Sequence, residues 1–250
     1  MSLSNRIAAV TGAGGPMGRA TVERLVAGGI AGVALTDISS RRLEEAVAAL
    51  PPDLPVCATR ADVTRADEAG GFSRAALDRF GRVDLLVNLV GGLRSRQLYT
   101  PFLEIEPEQW RATLDLNLMG TIHLVRAFAP GMLQNRWGRI VNVASIVFGG
   151  EPGQADYAAA KAAVASLTRT LAAEFAPDVT VNCVAPGLTR TSVTENMPVE
   201  QQDRLIGLAL NPRMAEPDEV AEAIACFLTD QARFLTGEML SVSGGMRPSL

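Results

Sequence analysis

A short apolar run, Arg6-Ile-Ala-Ala-Val-Thr11, passes without a break into Gly12-Ala-Gly-Gly-Pro-Met-Gly18, and a helical pattern continues through Val22, Leu25 and Val26 to Gly28. Strand, glycine turn and helix, in that order, constrain the fold more than any other stretch. Glycines let a backbone approach a diphosphate closely, and a helix start offers unbonded N–H groups with a favourable dipole. A second strand, Gly32 to Asp37, ends in an acid 25 residues after Gly12. A carboxylate there can accept hydrogen bonds from both hydroxyls of an adenosine ribose, and it repels a 2′-phosphate. No basic side chain lies in the glycine turn before Arg19, which favours NAD over NADP, although Arg41 and Arg42 stand close behind Asp37.

The same rhythm repeats down the chain. A polar helix is expected over 41–50, a strand over 56–60 with Asp62-Val63 just beyond it, and a helix over 64–80. The near-continuous apolar run from Val83 to Val90 suits a strand buried on both faces. Asp62 reads as a ligand contact, as a cap for the following helix, or as both. Asn88, a lone amide at its strand's end, reads as a structural bridge or a ligand contact, because a buried amide must find partners. A long helix is expected over 107–133, interrupted or bent near Gly120. It carries Asn117 among Leu114, Leu116, Leu118 and Met119, where an unbonded amide is costly.

Gly138 to Ala144 forms a fifth strand with Ser145 at its end, and Val179 to Val184 a sixth, ending in Ala185-Pro186-Gly187. Residues 188–214 lose the α/β rhythm and contain two Xaa-Pro breaks, which suits a mobile lid or substrate loop. A helix over 216–228 and a strand near 238–243 close the chain. With no internal repeat, linker or low-complexity tract, residues 1–250 read as one domain of α/β class. It is a doubly wound parallel sheet with helices on both faces. Function in such a sheet belongs at the carboxyl ends of the strands. Asp37, Asp62, Asn88, Ser145 and Pro186 all fall there, from five separate strands.

Charge and composition narrow the partners. A net charge of −4 with pI near 5.2 gives no basic footprint for nucleic acid, and no cationic amphipathic stretch points to a membrane surface. Cys57, Cys183 and Cys226 are widely spaced, odd in number and without CxxC spacing, as expected of reduced, mostly buried thiols in a cytoplasmic protein. The sequence shows neither a signal-peptide pattern nor an apolar span near ~20 residues. His123 is the sole histidine. A histidine-rich metal site is therefore impossible, and in Leu-His-Leu-Val on a helix His123 reads as a packed side chain.

Lys161 is the only lysine, and it follows Tyr157, one of two tyrosines, by four residues. On a helix the two side chains share a face. A phenol has a pKa of about 10, and lowering it by roughly three units takes about 4 kcal/mol. One cation about 4 Å away at an effective dielectric of about 20 supplies that order of energy. Arginine is a broad planar fork and lysine a compact point charge. A chain that writes every other basic site as arginine keeps this lysine for chemistry.

These residues together resemble the short-chain dehydrogenase/reductase family over essentially the whole length. The matching pieces are Thr11 to Gly18, Asp62-Val63, Asn88 with Gly91, Asn117, Ser145, Tyr157-Ala-Ala-Ala-Lys161 and Pro186-Gly187. The resemblance implies a Rossmann-like sheet, a nicotinamide cofactor and hydride transfer between an alcohol and a carbonyl. By the same likeness Tyr157 is the acid/base, and Ser145 hydrogen-bonds the reacting oxygen. Lys161 holds the nicotinamide ribose and lowers the tyrosine pKa, and Asn117 positions a water for proton relay. Cofactor contacts are implied at Gly12, Gly14, Gly15, Met17, Gly18, Asp37, Asp62, Val63, Asn88, Leu89, Gly91, Tyr157, Lys161, Pro186 and Gly187. Thr189 and Thr191 are expected at the carboxamide, and no metal is implied.

Three departures stand out. Pro16 takes the middle glycine position of the family's turn and donates no N–H, though proline suits a first helical position. The family's Asn-Asn-Ala-Gly is here Asn88-Leu-Val-Gly91, so any contact from Leu89 uses its backbone. Ser145 precedes Tyr157 by twelve residues, one fewer than in many members.

The expectation is an NAD-preferring oxidoreductase acting on a small alcohol or ketone. Alternatives are a 3-oxoacyl-thioester (acyl-carrier-protein) reductase using NADPH, or a dinucleotide-binding sensor without turnover. Small or apolar residues on several faces of 158–173 point to burial against a second subunit, and the likeness to dimers or tetramers. Arg94 and Arg96 read as surface cations or as contacts for an anionic substrate group.

Overall fold

The computed structural model describes residues 3–93 and 97–246. The strands are β1 (Ile7–Thr11), β2 (Gly32–Asp37), β3 (Val56–Arg60), β4 (Leu85–Asn88), β5 (Gly138–Val143), β6 (Val179–Pro186) and β7 (Met239–Val242). They form one seven-stranded sheet in the order β3-β2-β1-β4-β5-β6-β7, and every neighbouring pair is parallel. The helices are α1 (Pro16–Ala27), α2 (Ser40–Ala48), α3 (Ala66–Phe80), α4 (Pro107–Leu114), α5 (Gly120–Gln134), α6 (Ala155–Phe175), α7 (Ser192–Glu195), α8 (Val199–Ile206) and α9 (Pro217–Leu228).

Alternation along the strands divides the core in two. Ala8, Val10, Val33 and Leu35 meet Val22, Leu25, Leu43 and Ile224 of α1, α2 and α9 on one face. Ile7, Ala9, Ala34 and Leu86 meet Phe72, Leu124 and Phe128 of α3 and α5 on the other, where the two phenyl rings stack edge to face at 6.2 Å. Both sheet faces are therefore covered, as a parallel sheet requires. The strand order reverses between β1 and β4, and a crevice opens beyond the carboxyl ends at such a switch point.

The long helix expected over 107–133 is broken where anticipated. A π-helical turn, Asp115–Met119, separates α4 from α5 and carries Asn117. Gly120 follows because α5 passes close to Val63; a Cβ there would stand 2.8 Å from Val63 Cγ2. β4 begins later than its apolar run, since the Asp84 side chain takes the Ile7 N–H at 2.8 Å and pairs with Arg82.

Two expectations need correction. The stretch 188–214 is not irregular throughout; it holds α7, just before Pro198, and α8, between Pro198 and Pro212, both too short for their patterns to stand out in the sequence. Of the thiols only Cys183 is buried; Cys57 is half-buried and Cys226 exposed, although all three are free. Arg94 and Arg96 lie outside the described residues. Among the described residues, no helix is long and apolar enough to cross a membrane.

Candidate active site

A cavity of about 970 Å³ runs along the carboxyl ends of the strands. Its wall at one end is the turn between β1 and α1. The Ala13 N–H goes to Thr36 C=O at 3.1 Å, Gly14 N–H to Asp37 Oδ2 at 3.1 Å and Gly15 N–H to Gly12 C=O at 3.1 Å. Pro16 is the first residue of α1, so the expected accommodation holds. The first-turn amides of Met17 and Gly18 then have no intrahelical carbonyl to bond and open toward the cavity they line. A Cβ on Gly18 would overlap the Gly12 carbonyl oxygen, so only glycine lets α1 start this close to β1. This cradle, with Asp37 at its edge, fits a dinucleotide diphosphate and ribose.

Asp37 is 5% exposed and its carboxylate is heavily engaged. Besides Gly14 N–H it accepts from Ser39 N–H at 2.9 Å and from Arg42 Nη2 at 3.1 Å. Arg42 also lines the cavity, and its Nε is buried without a hydrogen-bond partner. Sequence reasoning noticed Arg42 only as a nearby charge. That it grips the Asp37 carboxylate follows from the start of α2 folding back on β2.

The opposite wall carries Ser145, Tyr157 and Lys161. Ser145, two residues past β5, keeps extended backbone and caps a single 3-10 turn, Ile146–Gly149, in the short link to α6. Its hydroxyl bonds the Tyr157 phenol. Its other contacts are long, 3.5 Å from Val147 N–H and 3.5 Å to Pro186 C=O. Lys161, 2% exposed, donates to Val143 C=O at 2.9 Å, with Nζ 5.7 Å from the Tyr157 ring centre. The two side chains thus share one neighbourhood, as the i, i+4 spacing predicts.

The electrostatics differ from expectation. Burial raises the Tyr157 pKa, and the Ser145 hydrogen bond offsets it only in part. Burial also pulls Lys161 down to about 8, against a smaller upward pull from Cys183. The protein's own atoms therefore leave the phenol protonated at neutral pH, and the expected lowering by Lys161 does not dominate. Lys161 still carries its charge at neutral pH, but the phenol's own desolvation outweighs what that charge supplies.

A stability prediction follows from the same burial. Below pH ~8 Lys161 is protonated both folded and unfolded, and the folded chain bears the full cost of the buried charge. Between about 8 and the unfolded value of 10.5 only the unfolded chain stays protonated, so this group adds stability as pH rises. The shift corresponds to about 3 kcal/mol, part of which Lys161→Met would return as the lost bond to Val143. Lys161→Met is expected to stabilise the nucleotide-free protein by about 1–2 kcal/mol at pH 7, and by nothing above pH ~10.5, in thermal melts across pH. A variant melting below the parent at pH 7 would sink this account.

Three expected contacts sit behind the wall rather than in it. Asn88 is 3% exposed and donates to Asn142 Oδ1 at 2.9 Å, and Asn142 donates to Thr168 Oγ1 at 3.0 Å. It bridges β4 and β5 because the sheet register sets it opposite Asn142, while its Oδ1 is buried without a hydrogen-bond partner. Asn117 clasps Gly92, accepting its N–H at 2.9 Å and donating to its C=O at 2.8 Å, with a further bond to Thr113 C=O at 2.8 Å. Gly14 spends its N–H on Asp37. Gly91 lies between these groups, where a Cβ would stand 2.6 Å from Lys161 Nζ and 2.7 Å from Asn117 Oδ1.

Asp62 lines the cavity and also fixes the turn before α3, accepting from Thr64 N–H and Oγ1 at 3.0 and 2.7 Å. Val63 lines the cavity beside it, and its carbonyl takes His123 Nδ1–H at 3.0 Å, so His123 is a packed, bonded side chain. Leu89 lines the cavity too, but its N–H is taken by Thr11 Oγ1 at 3.0 Å, which leaves its carbonyl for a ligand. Gly12, Gly15, Pro186, Gly187, Thr189 and Thr191 complete the lining at expected positions.

At the far end of the cavity, sequence reasoning reached only the stretch 188–214, expected as a lid or substrate loop. Tyr99, Glu151, Gln154, Met197, Gln201 and Leu205 line this end, bringing the loop after β4 against α8. Arg204 stacks over the Tyr99 ring at 5.7 Å, and burial followed by the Glu151 charge raises the Tyr99 pKa.

Residues 12–247 match the family described as enoyl-(acyl carrier protein) reductase. A 3-oxoacyl-[acyl-carrier-protein] reductase from Synechocystis sp. is 39% identical over 98% of each chain. A 2,3-dihydroxy-2,3-dihydro-p-cumate dehydrogenase from Pseudomonas putida is 38% identical over 98% of this chain and 95% of its own. Among solved structures, a short-chain dehydrogenase/reductase of the glucose/ribitol dehydrogenase type from Brucella melitensis superposes with TM-score 0.90 at 32% identity over 100% of both chains. With the fold and the match over nearly the whole length agreeing, the chain belongs to the short-chain dehydrogenase/reductase family, whose members oxidise CH–OH groups or reduce carbonyls with a nicotinamide dinucleotide.

Proposed function

We propose that this chain is an NAD-preferring dehydrogenase or ketoreductase of secondary alcohols and ketones, with Tyr157 as acid/base. One observation carries it: the Tyr157–Ser145 pair and the Asp37 carboxylate lie along one cavity, so the acid/base and the ribose-reading acid serve one bound molecule. The nicotinamide, when bound, supplies or accepts the hydride; the chain places the substrate and handles one proton.

Tyr157, held protonated by burial, is ready to give its proton to a carbonyl oxygen; in the alcohol direction it must first lose one. Ser145, with only long hydrogen bonds besides the phenol, has capacity left for the same oxygen. Lys161 would hold the nicotinamide ribose, Met17 and Gly18 the diphosphate, and Asp37 the adenosine ribose. Leu89 would contribute its carbonyl, and Thr189 and Thr191 would face the carboxamide. The direct test is turnover across an alcohol and ketone panel with NAD(H) and NADP(H) side by side. Absence of nicotinamide-linked turnover on the whole panel would refute the proposal.

A second substrate class is favoured by one specific observation, the near full-length likeness to a 3-oxoacyl-[acyl-carrier-protein] reductase. That version requires NADPH-linked reduction of a 3-oxoacyl thioester to exceed NADH-linked reduction, which Asp37 opposes. Assembly into a homo-oligomer is proposed from α6, where Ala159 and Ala173 are exposed on a helix whose opposite side is buried. A monomer by light scattering at micromolar concentration would end it. A cytoplasmic location is proposed from the free cysteines; recovery from an oxidising compartment on fractionation would contradict it.

A further inference from the structure

We propose that Asp156 is a positioning residue that keeps Tyr157 and Asn117 in register by tying the start of α6 to α4 and the π-helical turn. The proposal rests on the assignment of Tyr157 and Asn117 to the reacting centre. Asp156 is 1% exposed and lies in the first turn of α6. Its Oδ2 accepts from Thr113 Oγ1 at 2.8 Å and from Gln109 Nε2 at 3.1 Å, both on α4. Its Oδ1 accepts the Tyr157 N–H at 2.9 Å. Thr113 is fully buried and extends the connection, because its carbonyl accepts from Asn117 Nδ2 at 2.8 Å. Asn117 then closes on both backbone groups of Gly92. One line of bonds thus runs from the Tyr157 backbone through Asp156 and Thr113 to Asn117 and the cofactor-side loop.

Stability alone does not call for this carboxylate. A buried charge is costly unless bonded, and no ion pair among the described residues involves Asp156. Hydrogen bonds and the nearby helix N-terminus offset the cost. Alanine would sit in the first turn with a better helix propensity and no desolvation. What a carboxylate adds is direction. Three donors from two helices converge on it, so a rotation of α6 or a slip of α4 breaks at least one bond. Misplacing a reacting group by about 1 Å can lower a rate by about 100-fold.

The experiment compares Asp156→Ala, Asp156→Asn, Thr113→Val and the Asp156→Ala/Thr113→Val double variant in steady-state turnover and amide hydrogen exchange. Asp156→Ala should lower kcat by about 10- to 100-fold while the nucleotide KM stays within about twofold, since the glycine turn is remote. Asparagine can keep the Tyr157 N–H bond and donate to Thr113 Oγ1 and to a flipped Gln109 amide, so Asp156→Asn should stay within about threefold of the parent. Thr113→Val should reproduce much of the alanine loss, and the double variant should be no worse than the worse single within about threefold. Exchange at Gly92 and across 115–119 should quicken about tenfold in Asp156→Ala, with β1 and β5 unchanged.

Alanine turnover within twofold of the parent, asparagine as damaging as alanine, additive losses, or unchanged exchange would each overturn the tie. Should Asp156→Ala fail to fold, Thr113→Val carries the same comparison. Failure of the underlying assignment is seen separately, as undiminished turnover in Tyr157→Phe, and the exchange result still decides the tie.

Discussion

Tyr157→Phe is expected to lower turnover by about 10³-fold, within the roughly 10²–10⁴ range of a positioned acid or base. That corresponds to about 4 kcal/mol of lost transition-state stabilisation. The phenyl ring keeps the packing of the phenol and removes only the hydroxyl that Ser145 bonds. Nucleotide affinity measured by calorimetry should therefore change little, and the loss should fall on kcat. The pH dependence carries its own sign. Burial raises the phenol pKa, so carbonyl reduction, which needs the protonated phenol, should be flat through neutral pH and decline on the alkaline side. Alcohol oxidation, which needs the phenolate, should rise over that same alkaline range. A variant that retains more than a tenth of the parent's turnover would remove Tyr157 from the chemistry.

How much of this was legible in the sequence depends on how local each feature is. The glycine turn, the Tyr157–Lys161 face and the acid ending β2 are fixed by backbone geometry within a few residues, and the structure reproduces them. The break in the long helix was legible as well, near Gly120, and Asn117 beside it in an apolar stretch had to bond to something. It took a π-helical turn to aim that amide at Gly92. Asn88 was ambiguous because its partner, Asn142, is 54 residues away and is opposed to it only by sheet register. The direction of the Tyr157 shift was misjudged for a similar reason. A pairwise Coulomb estimate sees the ammonium but not the desolvation that acts on both groups. At the far end of the cavity the stretch 188–214 was marked in advance, but its pairing with Tyr99 was not, because Tyr99 and Arg204 meet only once α8 folds over the loop after β4.

Asp37→Ser is the second large effect, and it should reverse the nucleotide preference. In the parent a carboxylate at the end of β2 would face any 2′-phosphate; one like-charge pair about 4 Å apart costs about 4 kcal/mol at an effective dielectric of about 20. Removing it should raise the kcat/KM ratio of NADP to NAD by about 10²- to 10³-fold. Part of that change is loss with NAD, because hydrogen bonds from ribose hydroxyls to a charged acceptor are worth about 1.5–3 kcal/mol each. Part is gain with NADP, because Arg42 is released from its 3.1 Å pair with Asp37 and already has a buried, unpartnered Nε. Adding Arg42→Ala to Asp37→Ser isolates the share of Arg42, since it should cancel that part of the NADP gain and leave both the NAD loss and the relief of the repulsion. Serine can accept only some of the bonds now made to Gly14, Ser39 and Arg42, so thermal stability should fall by about 1–3 kcal/mol. If the ratio stays within about threefold of the parent's in side-by-side kinetics, Asp37 does not read the ribose, and the NAD assignment falls with it.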